Sequence, residues 1–167
     1  MQYVSWNCRG LGSTIKEEAI RDLVRAMMSE VLLIQETKLE EEDLLRASNS
    51  FWKKGLGRAV SARGASGGLA TFWDSTKLDL VEEEGTTHCL FTKLLHKESG
   101  YPISIFNMYV PVLHAEKKEC WDSLKLFLNQ HNPENLIVVG DLNVTLALAE
   151  KRGGSIVWDP AREWVET

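Results

Sequence analysis

Apolar residues in this chain come in short runs, each ending at a polar residue. Val4-Ser5-Trp6 gives way to Asn7, Val31-Leu32-Leu33-Ile34 to Gln35-Glu36, and Leu136-Ile137-Val138-Val139 to Gly140-Asp141-Leu142-Asn143. Such runs read as buried strands with their ends at solvent. Between the first two the period lengthens. Ile15, Ala19, Leu23 and Met27 share one helical face with Ile20 and Val24 beside them, and Thr14 and Glu17 have capping-box spacing. Strand, helix and strand in succession predict parallel neighbours in one sheet. A shorter helix is expected over 40–52. From 55 to 110 the pattern changes to strand candidates at 57–62, 68–73, 78–81, 89–95 and 103–110. No helix separates them, and Ser66-Gly67-Gly68 and Glu98-Ser99-Gly100-Tyr101-Pro102 mark turns. This predicts an antiparallel meander. A further helix over 114–130 carries Trp121, Leu124, Phe127 and Leu128 on one side, and His131-Asn132-Pro133 ends it. Asp159-Pro160 has the form of another helix start. Only about two turns could follow it, so a longer domain cut inside a helix is the expectation.

Composition narrows the class. A chain of 167 residues has the size of one domain, and 44% hydrophobic with 26% charged residues is an ordinary globular balance with enough apolar material for a core. The net charge of -5 argues against a basic coat for nucleic acid. It leaves room for a metal-dependent nuclease, whose carboxylates are offset locally by the cation. Cys8, Cys89 and Cys120 are too few and too scattered for a disulfide framework or a zinc site, and are expected as reduced thiols in an intracellular protein. No apolar run approaches the ~20 residues of a membrane span, and no secretory signal opens the chain.

The polar strand ends carry the candidate chemistry. Asn7, Glu36, Tyr109, Asp141 and Asn143 would collect at one end of a layered α/β sandwich. A glutamate binds Mg²⁺ through oxygen, an aspartate beside an asparagine can orient or deprotonate a water, and an amide or phenol can hold a phosphate oxygen. Together these are the parts of metal-assisted phosphodiester hydrolysis. Each residue also has a plainer role open to it. Asn7 can end a strand, Glu36 can belong to the exposed acidic stretch through Asp43, Tyr109 can be a core aromatic, and Asp141 with Asn143 can form a turn.

Five stretches in order resemble the endonuclease/exonuclease/phosphatase family, and most of all the endonuclease domain of plant LINE-type (non-LTR) retrotransposons. They are Trp6-Asn7-Cys8-Arg9-Gly10-Leu11, Ile34-Gln35-Glu36-Thr37-Lys38, Gly67-Gly68-Leu69-Ala70, Phe106-Asn107-Met108-Tyr109-Val110-Pro111 and Gly140-Asp141-Leu142-Asn143. The resemblance implies a four-layer α/β (α+β) sandwich spanning 1–167 as a single domain, without its C-terminal strands. It implies Glu36 and Asn7 as metal residues for Mg²⁺, with Mn²⁺ as the substitute. It also implies Tyr109 on the scissile phosphate, Asp141 as activator of the attacking water and Asn143 as orienter of phosphate. The activity implied is nicking of DNA to leave a 3′-hydroxyl, in a longer chain shared with a reverse transcriptase, in the nucleus.

The sequence departs from the family at one place. The expected C-terminal Asp-His pair has no counterpart, since Asp159 is the only aspartate after Asp141 and no histidine follows His131. An inactive remnant that at most binds metal or nucleic acid is therefore the alternative, as is a relative acting on another phosphodiester. Arg58 and Arg63, with Lys53 and Lys54, form a basic cluster that could follow a DNA backbone, as could Lys151 and Arg152. A solvated sheet edge is an equal reading of the first group.

Overall fold

A computed structural model describes residues 1–64 and 66–145, together with Gly153 and Arg162. The chain divides into two compact units. One comprises Met1–Tyr109 and Pro133–Asp141, the other Val110–Asn132 and Leu142–Thr167.

The first unit holds eight strands and two helices: β1 (Tyr3–Asn7), α1 (Thr14–Ala26), β2 (Val31–Gln35), α2 (Glu41–Phe51), β3 (Gly55–Val60), β4 (Leu69–Asp74), β5 (Leu78–Gly85), β6 (Cys89–His96), β7 (Pro102–Tyr109) and β8 (Leu136–Asp141). They form two four-stranded mixed sheets, ordered β1-β2-β4-β3 and β5-β6-β7-β8. The β1-α1-β2 unit is parallel, as its alternation predicts, and β8 lies parallel to β7. The five strands expected as one meander are in fact divided. β3 and β4 form an antiparallel hairpin in the first sheet, and β5, β6 and β7 a meander in the second. A single antiparallel run has no periodicity that marks where the chain changes sheets.

Side-chain alternation along β2 shows how the layers assemble. All five of its residues are buried. Leu32 and Ile34 pack with Ile20 and Val24 of α1, Leu44 and Phe51 of α2, and Phe72 of β4. Val31 and Leu33 point the other way and join Trp73, Leu78, Leu94, Ile103 and Ile105, a second core shared by the two sheets. A strand covered on both faces reads as a continuous apolar run rather than an alternating one. The result is an α+β sandwich of helices, sheet and sheet.

Helix α1 departs from expectation at two points. Ser13, not Thr14, takes the N-cap position, without a side-chain cap bond, and the Glu17 carboxylate accepts from Ser50 Oγ at 2.6 Å instead of closing a capping box. The stripe turned inward is Ile20 and Val24, whereas Ile15 is 78% and Met27 42% exposed. β1 is an edge strand of its sheet, so the 15/19/23/27 stripe overhangs the rim and not the sheet's centre.

In the second unit α3 (His114–His131) ends at Asn132, whose φ of 42° lets its N–H reach Leu128 O. Trp121 and Leu124 are buried as expected. Phe127 instead stacks on His131, with ring centroids 4.0 Å apart. The Asp159-Pro160 helix start and the Trp164 and Val165 anchors lie outside the described residues.

One polar contact spans the apolar space between the sheets. Asn107 of β7 is fully buried and donates to the Ile34 and Ala70 carbonyls at 3.3 and 2.8 Å, while its Oδ1 accepts from Gln35 Nε2 at 2.7 Å. Gln35 also donates to Ser5 Oγ at 3.1 Å. Because a buried amide left without its partner costs about 1–3 kcal/mol, Asn107→Leu should lower stability by about that amount. A reduced urea midpoint with an unchanged denaturant slope is expected, and an unchanged midpoint would contradict the role given to this amide.

Candidate active site at the strand exits

Strand register places the candidate residues side by side. Asn7 is the last residue of β1 and pairs with Gln35, the last of β2, so Glu36 leaves the sheet beside Asn7. In the other sheet Tyr109 ends β7 opposite Asp141, the last residue of β8. Neighbouring strands run about 4.8 Å apart, so each sheet contributes an adjacent pair. The two pairs meet: Asn7 Nδ2 donates to Asp141 Oδ2 at 2.7 Å. Asn7, Glu36, Tyr109 and Asp141 are thus gathered at one end of the sandwich, the closing bond joining residues 134 positions apart.

The loops around this point are held in conformations that side-chain-bearing residues seldom adopt. Arg9, Glu36 and Lys38 have φ of 48°, 55° and 57°. Each such residue costs about 1–3 kcal/mol and persists only where its surroundings fix it. Here they do. Gly10 N donates to Glu36 O at 2.6 Å and Leu11 N to Thr37 O at 2.8 Å. The Lys16 ammonium gathers the carbonyls of Cys8, Arg9 and Gly10 at 2.8, 3.1 and 2.5 Å. From the opposite side Thr37 N and Lys38 N donate to the carbonyls of Gly68 and Gly67. This is what the Gly67-Gly68 motif does. Gly68 sits at φ 86°, and a Cβ there would fall 2.1 Å from Thr37 Oγ1. Gly140 has a similar function on β8, since a Cβ at its φ of 139° would strike Met108 O at 2.0 Å and push Asp141 out of register.

Glu36 is largely sheltered, its side chain 16% exposed, with Lys38 Nζ 3.2 Å from its carboxylate. The Tyr109 phenol is held above its ordinary value of 10.0, first by burial and then by the negative charges of Glu36 and Asp141, with Arg9 opposing. The phenol therefore keeps its proton at neutral pH and can donate to an anion. His88 clasps the Tyr109 backbone: its carbonyl accepts Tyr109 N–H at 3.0 Å and its Nδ1 lies 3.3 Å from Tyr109 O. Lys38, Arg9 and His88 are site neighbours that strand patterning does not single out, although Arg9 and Lys38 stand inside motifs that resemblance does.

The other candidates are placed differently. Asn143 belongs to the second unit, with φ 47°, its amide donating to Val110 O at 2.6 Å and its carbonyl accepting Lys117 Nζ at 2.6 Å. Arg58 is engaged by Glu83, Nε to carboxylate 2.5 Å, and by Gly57 O at 3.0 Å. Arg63 lies in the exposed turn bridged to Ser66. Lys151 and Arg152 lie outside the described residues.

A family model for endonucleases, exonucleases and phosphatases matches residues 4–161. The chain belongs to the Endonuclease/Exonuclease/phosphatase family. No curated protein matches it significantly. Its fold is that of solved structures from the family and its relatives. An AP endonuclease from Leishmania major is 20% identical with a TM-score of 0.71, covering 92% of this chain and 58% of that one. The mannosyl-6-phosphatase of Bacteroides thetaiotaomicron is 16% identical with a TM-score of 0.69, covering 86% and 66%. D. rerio TDP2, solved with a single-strand DNA product, is 17% identical with a TM-score of 0.64, covering 87% and 61%. The chain thus spans about three-fifths to two-thirds of their length.

Enzymes of the family generally use divalent metals, commonly Mg²⁺. Among the described residues no three His, Cys, Asp or Glu side chains form a metal cage. Mg²⁺ does not need one, because it takes one or two carboxylates and completes its shell with water and phosphate. Glu36, Asp141 and Asn7 Oδ1 are oxygen donors of the required hardness, so the donor set fits. Spectrophotometric titration tests the charge arrangement. The phenolate step lost in Tyr109→Phe should lie above pH 10 in the parent. Glu36→Gln should move it down and Arg9→Ala up, and a step indifferent to both changes would refute the cluster.

Proposed function

We propose that this chain is a Mg²⁺-dependent phosphodiesterase, a DNA endonuclease domain of LINE-type retrotransposon origin that nicks DNA to leave a 3′-hydroxyl. The observation that carries this reading is the Asn7–Asp141 bond at 2.7 Å. It fixes a carboxylate at the mouth formed by four strand ends, beside a sheltered glutamate and a protonated phenol.

Each residue has a distinct task. Asp141, steadied by the Asn7 amide, accepts the proton of the attacking water. Tyr109 donates its phenol hydrogen to a non-bridging phosphate oxygen. Glu36 and the Oδ1 of Asn7 would hold the cation. Asn7 Oδ1 already accepts Arg9 N–H at 3.1 Å and retains a lone pair for it. Bound there, Mg²⁺ would supply positive charge against the phosphate oxygens. Retrotransposon origin rests on the wording of the motifs, Trp6-Asn7-Cys8-Arg9-Gly10-Leu11 above all. A longer parent chain, with further sandwich strands and a reverse transcriptase acting in the nucleus, belongs to the same proposal.

Two other readings are told apart from it by experiment. One is an inactive remnant that at most binds metal or nucleic acid. The other, prompted by a mannosyl-6-phosphatase of the same fold, is hydrolysis of a phosphate ester other than DNA. Nicking of supercoiled plasmid with Mg²⁺ separates them. Activity abolished by EDTA and by Glu36→Ala, and reduced about 10²–10⁴-fold in Asp141→Ala, is expected. No nicking would favour the remnant, and release of phosphate from sugar phosphates without nicking would favour the phosphatase.

A further inference from the structure

Among the described residues the Arg9 side chain has no hydrogen-bond or ion-pair partner at the site. Its main chain is fixed on every side: Arg9 N donates to Asn7 Oδ1 at 3.1 Å, Arg9 O accepts Lys16 Nζ at 3.1 Å, and the next residue, Gly10, donates to Glu36 O at 2.6 Å. Its φ of 48° suits glycine better than arginine. The side chain is exposed, and the guanidinium makes no hydrogen bond or ion pair with any described residue. Two described cations beside it are occupied, Lys38 by Glu36 and Lys16 by three carbonyls. Its charge is felt at Tyr109, where it counters Glu36 and Asp141.

A solvated surface arginine would need none of this. A residue whose backbone is held in an unfavourable region, two positions from Asn7 and with an uncommitted planar fork of donors, is suited to an anion arriving at the carboxylates. A guanidinium matches two phosphate oxygens at once. It also supplies positive charge that neither Asn7 nor Tyr109 can, at a site whose own acids would otherwise repel a phosphate.

We propose that Arg9 is a catalytic residue that grips the non-bridging oxygens of the substrate phosphate and stabilises the charge that builds on them during hydrolysis. This rests on the phosphodiesterase reading, and the test keeps the two apart. The informative substitution is Arg9→Gly, because glycine relieves the positive φ. The variant should melt no lower than the parent, so loss of function in it is not loss of fold.

Two readouts are needed. Binding of thymidine 3′,5′-bisphosphate in the presence of Mg²⁺, followed by calorimetry, should weaken at least about tenfold in Arg9→Gly and recover in part in Arg9→Lys. Plasmid nicking should fall about 10²-fold, chiefly in kcat, and free guanidinium at millimolar concentration should restore part of it. A structural role would give neither guanidinium rescue nor a loss at unchanged melting temperature. Equal bisphosphate binding by parent and Arg9→Gly overturns the proposal. Binding that depends on Arg9 in a parent that does not nick DNA supports it while sinking the endonuclease reading. A parent that neither binds nor nicks overturns both.

Discussion

The arrangement depends on the two sheets keeping one register against each other. Apolar packing between Leu33, Trp73, Leu94 and Ile105 is strong but non-directional and would tolerate a slide. The Asn107 amide does not. It donates to carbonyls on β2 and β4 and accepts from Gln35, and any displacement would leave those groups buried without partners. Ser5, Gln35 and Asn107 lie one or two residues before Asn7, Glu36 and Tyr109, on the strands that end at or just before them. The polar bridge is therefore the foundation under the site, and the Asn7–Asp141 bond is its continuation at the surface.

Above that foundation the loops are fixed by main-chain bonds more than by packing. Arg9, Glu36 and Lys38 all sit at positive φ, and Lys16, Gly67 and Gly68 satisfy or receive the exposed carbonyls and N–H groups around them. Backbone strain concentrated at one mouth, with charged side chains projecting from it, is consistent with preorganisation for an ionic ligand.

The likenesses to an AP endonuclease, a sugar phosphatase and a DNA-bound TDP2 share a fold at identities too low to carry a substrate across. A sandwich whose strand ends collect carboxylates and amides suits phosphate esters in general. Loops beyond those ends choose among them.

Much was legible in the sequence because its physical cause is local. The apolar run before Glu36 follows from a strand buried on both faces, those before Asn7 and Asp141 from half-buried edge strands, and the β-α-β opening follows from alternating period. The helix boundaries came close for the same reason. What the sequence did not carry was every choice that depends on a neighbour distant in the chain. The 55–110 strands divide between two sheets because the second core needs a face opposite Val31 and Leu33. α1 turns Ile20 and Val24 inward, not Ile15 and Met27, because β1 is the edge of its sheet among the described residues. Glu17 turns its carboxylate to Ser50 on α2 and not back to the N-cap of α1. Which residues could meet at a strand exit was set by periodicity and composition. That Asn7 reaches Asp141 across 134 positions was decided only in the folded chain, where a hydrogen bond requires both ends to be brought within 3 Å or so of each other.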